Sequence, residues 1–237
     1  MAEEDHPIYS DAGPEHFMHG RAIGEYRKKF TRQAVSSFMF LCSGMGLLAF
    51  LLPILLVITG GWQNSISAYY HAPGELPRDV LTGGLCAIGV FLMLFRGLSD
   101  LENWLLTVGG VAAIVVALSP GLEKCAPAIT LHLVAAIIFF LCLAVVAIGL
   151  SKKRIDNIVY ERWRKRFKLA YNIAGAAMIG MPAVAAIFYF TADDRCQTRA
   201  LFWIESFGIW AFSFYWFVKT LEYRLLLGVR WPPGFFR

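Results

Sequence analysis

Charge is what this chain has least of. Of its 237 residues only 16% are Asp, Glu, Lys or Arg, while 57% are hydrophobic. A water-soluble domain carries about 25% charged residues, so the shortage excludes an ordinary soluble globule. A second absence is positional. The middles of the apolar runs hold no charged residue, which gives little support to a proton or ion relay through a membrane centre. Residues 1–33 are polar and contain no apolar h-region. No cleavable signal peptide is therefore expected, and the first apolar run reads as its own targeting signal. No convincing internal repeat divides the chain.

What is present is six apolar runs, at about 35–59, 79–98, 103–119, 127–150, 169–190 and 200–226. A helix of about 20 residues crosses a hydrocarbon core about 30 Å thick. Isolated strands cannot satisfy their backbone hydrogen bonds in lipid, so such runs must be helices. The expected fold class is all-α: a polytopic membrane protein, with six transmembrane helices in one bundle over 34–226. Polar tails at 1–33 and 227–237 flank it. The third run is short, and the last is long enough to tilt or project past the membrane.

The net charge of +5 is unevenly spread. Arg21, Arg27, Lys28, Lys29 and Arg32 precede the first span, and eight Lys and Arg residues fill the connection 151–168. The opposite side receives only Arg78, Lys124, Arg195 and Arg199. By the positive-inside rule both termini are cytoplasmic. The expected location is a plasma (inner) membrane rather than an endomembrane, which the charge distribution does not distinguish. The basic excess thus reads as topology rather than nucleic-acid binding. The partners it implies are membrane lipids, including anionic headgroups on the cytoplasmic side. In "KKRIDNIVYERWRKRFK" (152–168), Ile155, Ile158, Val159, Trp163 and Phe167 recur at helical spacing between basic residues. This describes either an interfacial amphipathic helix or a plain extension of the fifth span. His6, His16 and His19 read as solvated tail residues.

Trp62 and Trp203 fall at one predicted boundary and Trp104, Trp163 and Trp231 at the other, as an aromatic belt requires. Small residues cluster at 43–46, 82–84, 109–113 and 174–186, where they allow close helix approach. Packing within the bundle explains them, and a homo-oligomer or a place in a larger membrane complex stays open. Of five cysteines, Cys42, Cys86 and Cys142 lie inside spans as small core hydrophobes. Cys125 and Cys196 fall on the outer side, where an oxidising compartment would join them in a disulfide.

The most chemically mixed passage is "NSISAYYHAPGELPRD" at 64–79, in the first outer loop. Asp79 opens the second span, while His132 and Glu205 enter the fourth and sixth from the same side, both roughly 8–9 Å below the boundary by helical rise. His71, with Ser67 one turn before it, lies just above. Ionisable groups at such depth are costly and point to function. Three readings stay open. The first is a hydrogen-bond network in which His132 and Glu205 satisfy each other. The second is a ligand pocket formed by Tyr69, Tyr70, His71, Arg78, His132 and Glu205. The third is catalysis, through zinc or another divalent metal on His71, His132 and Glu205, or through a Ser67–His71–Asp79 triad. On the cytoplasmic side Arg96, Asp100, Glu102, Lys219, Glu222 and Arg224 read as solvated or locally paired. If Lys219 faces the bundle, pairing with Glu222 or Asp100 is expected.

Two family patterns enter on specific residues. "LHLVAAIIFFLCLA" (131–144) and "WIESFGIWAFSFYWFVKTLE" (203–222) resemble the fourth and sixth spans of the DRAM/Sfk family of six-span proteins. "PIYSDAG" (7–13) is similar to a phrase of that family, though here it precedes the first span. The resemblance implies a lipid- or trafficking-related membrane protein. Ser67, His71 and Asp79 also resemble the Ser-x₃-His and Asp of alkaline-ceramidase and adiponectin-receptor-type hydrolases. Those need a late His-x₃-His pair, and no histidine follows His132 here.

The expectation is an outward-facing polar pocket binding a lipid or small amphiphile, or a structural or regulatory membrane subunit. The alternatives are a metal-dependent hydrolase acting on a lipid at the outer leaflet, and a small-solute or proton-coupled transporter.

Overall fold

A computed structural model describes residues 14–119, 129–151, 155, 161–191 and 198–227. Its described elements are helical, and six helices are long and apolar enough to cross a membrane. They are α1 (Pro14–Gly60), α2 (Leu76–Leu94), α3 (Asp100–Leu118), α4 (Leu131–Val145, continued by a π turn Val146–Leu150), α5 (Glu161–Thr191) and α6 (Ala200–Leu227). A short 3₁₀ turn, Ser67–His71, lies between α1 and α2.

Two compact units are distinguished, Met1–Phe38 and Met39–Arg237. In the first, the expected polar tail is helical from Pro14 onward. Proline suits the first position of a helix because its missing N–H would go unpaired there. The Thr31 hydroxyl donates to the Arg27 carbonyl at 2.9 Å, one turn back.

In the second unit the helix starts are set by local chemistry. Pro77 and Asp79 occupy the first turn of α2, where a fixed φ and a negative charge are both favoured. The Ser99 side chain caps α3 by accepting from the Glu102 N–H at 3.2 Å. Glu102 reaches back to accept from the Leu98 N–H at 3.2 Å, a variant of the capping box. Thr130 caps α4 in the same way, accepting from Leu133 N–H.

Sequential neighbours pack together from α2 through α6. Small residues set the distances. A Cβ on Gly89 would lie 2.6 Å from the Gly110 carbonyl, so α2 and α3 touch backbone to backbone. Contacts of α1 complete the bundle: Leu52 fills the space beside Gly84 of α2, and Gly46 lies against the Phe217 ring of α6. The Ser213 hydroxyl donates to the Gly46 carbonyl at 2.7 Å, and the Trp210 indole to the Phe50 carbonyl at 3.1 Å.

Helix α6 is the most enclosed, with 56% of its apolar window buried against 17–39% for the others. It meets α1 through Ser213, α3 through Lys219, α4 through Phe212 on Phe139, and α5 through Tyr215 on Tyr171. Glu205, Ser213, Tyr215, Lys219 and Glu222 all lie on this one helix. The described part of the basic connection, from Glu161, is a direct extension of α5, with Arg166 lying 5.4 Å from the Trp163 ring. Trp62, Trp104, Trp163 and Trp203 are surface-exposed. Cys42 and Cys142 are buried and Cys86 half-buried, none of the three in a disulfide. The expected Cys125–Cys196 disulfide lies outside the described residues.

Candidate functional site: a loop-capped cavity at one end of the bundle

The loop after α1 is strapped to the first turns of α6. Gly61, at φ 64°, turns the chain out of the helix in the left-handed conformation that glycine adopts without strain. The Tyr69 hydroxyl returns to donate to the Gly61 carbonyl at 2.6 Å. The Phe202 N–H donates to the Asn64 carbonyl at 2.9 Å. Trp62 and Tyr69 both pack on the Phe202 ring. A further tie comes from a side chain of α6. Glu205 accepts the Ile66 N–H at 2.6 Å and also bonds the Ser67 N–H, so a carboxylate from α6 sits on the first amides of the 3₁₀ turn. Burial pushes the Tyr69 phenol above its ordinary value of 10.0, against the opposing effects of the Gln63 backbone and of Arg199.

Beneath this strap is a cavity of about 350 Å³, within the range of about 300–1,000 Å³ usual for small-molecule sites. It is walled by all of α2 to α6. Its polar lining comes from Asn64, Ser65, Ser67, Thr130, His132, Tyr189 and Glu205. The rest is apolar and includes Leu85, Ala136, Phe139, Pro182 and Ile209. Phe139 lies seven residues further along α4 than His132, about 10 Å deeper. One level is thus polar and the depth is oily.

His132 is held by α3, not by Glu205. Its Nδ1 lies 3.0 Å from the Ser119 carbonyl and 3.2 Å from the Val116 carbonyl. Carbonyl oxygens only accept, so Nδ1 carries the proton and Nε2 is left as an acceptor. The expected mutual His132–Glu205 bond is replaced by two separate attachments, each to backbone.

His71 does not join the pair. In a 3₁₀ helix residues three apart share a face, and Ile66, Tyr69 and Ala72 form the buried face here. His71 falls off that face, is exposed, and packs edge-on against Tyr70. Among the described residues no three His, Cys, Asp or Glu side chains converge to hold a metal. The His71–His132–Glu205 metal set is therefore not assembled. For the Ser67–His71–Asp79 set, the contacts seen among the described residues are local: Ser67 shares a hydrogen bond with Ser65 at 3.1 Å, and exposed Asp79 pairs with Arg78 at 3.7 Å. Of the residues expected to bind ligand, His132 and Glu205 line the cavity. Tyr69 buttresses the strap, while Tyr70, His71 and Arg78 lie outside the lining.

At the opposite end is a second polar centre whose burial the sequence reading missed. Lys219 is fully buried, with Nζ 2.7 Å from Glu102 Oε1 and 2.9 Å from the Tyr215 hydroxyl. The Phe95 and Tyr215 rings lie 5.5 and 5.4 Å from the ammonium. Tyr215 also bonds Ser151 at 3.1 Å, and the Tyr171 hydroxyl donates to buried Glu222. Lys219 thus pairs with Glu102, not with Asp100 or Glu222; Arg96 and Asp100 are exposed as expected. Two signals were available: the Ser99-x-x-Glu102 capping box, and the position of Lys219 on the aromatic stripe of Phe212, Tyr215, Trp216 and Tyr223.

Comparison with protein-family models, curated proteins and solved structures finds no match to this chain.

Proposed function

We propose that the chain is a six-span integral membrane protein with both termini cytoplasmic, and that its loop-capped cavity opens on the outer leaflet of a plasma (inner) membrane to bind one lipid or small amphiphile. The observation that carries this reading is the cavity's two-part lining. Glu205, His132 and the serines of the strap are gathered at one level above deep apolar walls. A molecule with a compact polar head and an aliphatic tail satisfies both parts at once. Water alone would leave the apolar walls hydrated, and a purely polar solute would bury its groups against them. Binding would brace the strap against α6, because Glu205 belongs both to the cavity lining and to the Ile66 bond.

A photoreactive long-chain amphiphile, applied to the protein in lipid nanodiscs, tests this. Label should concentrate on peptides containing His132 and Glu205. It should fall sharply in an Ala136→Phe variant, whose ring fills the cavity. Label spread over the lipid-facing surfaces and unchanged in that variant would contradict the proposal.

A further inference from the structure

The head-group chemistry of the ligand follows from which hydrogen-bonding roles the cavity leaves open, and it rests on the amphiphile reading above. Glu205 brings a carboxylate into the lining, with the Ile66 and Ser67 N–H groups as its partners in the strap. Backbone dipoles stabilise a carboxylate but do not neutralise it. No Lys or Arg is among the described residues lining the cavity. The described arginines near this end are engaged elsewhere: Arg199 lies over the Trp62 ring at 5.3 Å, and Arg78 pairs with Asp79 at 3.7 Å. His132 commits its Nδ1 proton to the Ser119 and Val116 carbonyls, so its Nε2 offers an acceptor. The two side chains able to bind a head group strongly thus both call for a donor, and one of them calls for positive charge.

We propose that the cavity selects a long-chain amphiphile whose head is a protonated amine, held by the Glu205 carboxylate and His132 Nε2 with its aliphatic chain against α4 and α5. An ammonium carries donors only and supplies the missing positive charge. A fatty carboxylate or phosphate head would set like charge against Glu205 in a low-dielectric site. A long-chain alcohol could donate a hydrogen bond but would leave the carboxylate uncompensated.

Competition against the photoreactive probe with dodecylamine, dodecanol and dodecanoate in mixed micelles at neutral pH decides it. Dodecylamine should compete best, by about tenfold or more over dodecanol, the range of a charge-assisted bond. Dodecanoate should compete least. Glu205→Gln should erase the amine's advantage over dodecanol, and Glu205→Asp should restore part of it. If Glu205→Gln does not fold, the wild-type ranking alone decides. Dodecanol or dodecanoate matching dodecylamine overturns the head-group assignment but leaves the cavity reading standing. Failure of all three to compete, with labelling unaffected by Ala136→Phe, overturns both.

Discussion

Lys219 Nζ and Glu102 Oε1 lie 2.7 Å apart with the two side chains 0% and 2% exposed, joining α6 to the first turn of α3. A buried pair of this kind gains little over an apolar replacement, but losing one partner strands the other. Lys219→Met should therefore destabilise the protein by about 3–5 kcal/mol. The double variant Lys219→Met/Glu102→Gln should recover most of that loss, since the glutamine oxygen can still accept from Leu98. Denaturation in detergent reads both. A single variant as stable as the wild type would show that the pair is not closed off.

Tyr69 predicts an alkaline limit. Its folded pKa is raised above the unfolded value of 10.0 by burial, so the unfolded chain loses the proton first as pH rises. The stabilisation is complete below the unfolded value and is lost as pH climbs through the folded one. Stability should fall above about pH 10, and Tyr69→Phe should remove this component. That variant should also cost about 1 kcal/mol at neutral pH for the lost bond to Gly61. Tyrosinate absorbance followed with thermal unfolding across the pH range is the measurement.

The Glu205 strap should be visible in amide exchange. Glu205→Leu removes the acceptor from Ile66 and Ser67, so exchange at these two amides should rise. Exchange in the middle of α3 should not change. Glu205→Gln keeps an oxygen in place and should give a smaller increase.

The α2–α3 crossing distinguishes two glycines. A methyl at Gly110 meets the Gly89 carbonyl and the Met93 side chain, whereas a methyl at Gly83 meets nothing within 4 Å. Gly110→Ala should cost about 1–3 kcal/mol through overpacking. Gly83→Ala should be neutral or stabilising by up to about 1 kcal/mol from helix propensity. Thermal unfolding of the two variants gives the comparison.

The sequence made the six helices legible because length and apolarity suffice to define a span. It also brought His132 and Glu205 to one level, because helical rise converts residue number into depth. Depth does not give direction, however. His71 stands at the expected height yet leaves the cavity, because the 66–69–72 face of a 3₁₀ turn carries the burial and His71 is not on it. The partners of His132 and Glu205 were likewise out of reach. Both are backbone groups, which leave no signature in residue type. The Lys219–Glu102 pair spans 117 residues of sequence. Only the packing of α6 against α3 brings it together.

Electron cryomicroscopy of the protein in nanodiscs tests the cavity claim most directly. Density for one elongated molecule should fill the space beneath residues 64–68, its head against His132 and Glu205 and its tail running past Ala136. It should be absent from the Ala136→Phe variant. A cavity closed by its own side chains, or the same density in both proteins, would contradict the account.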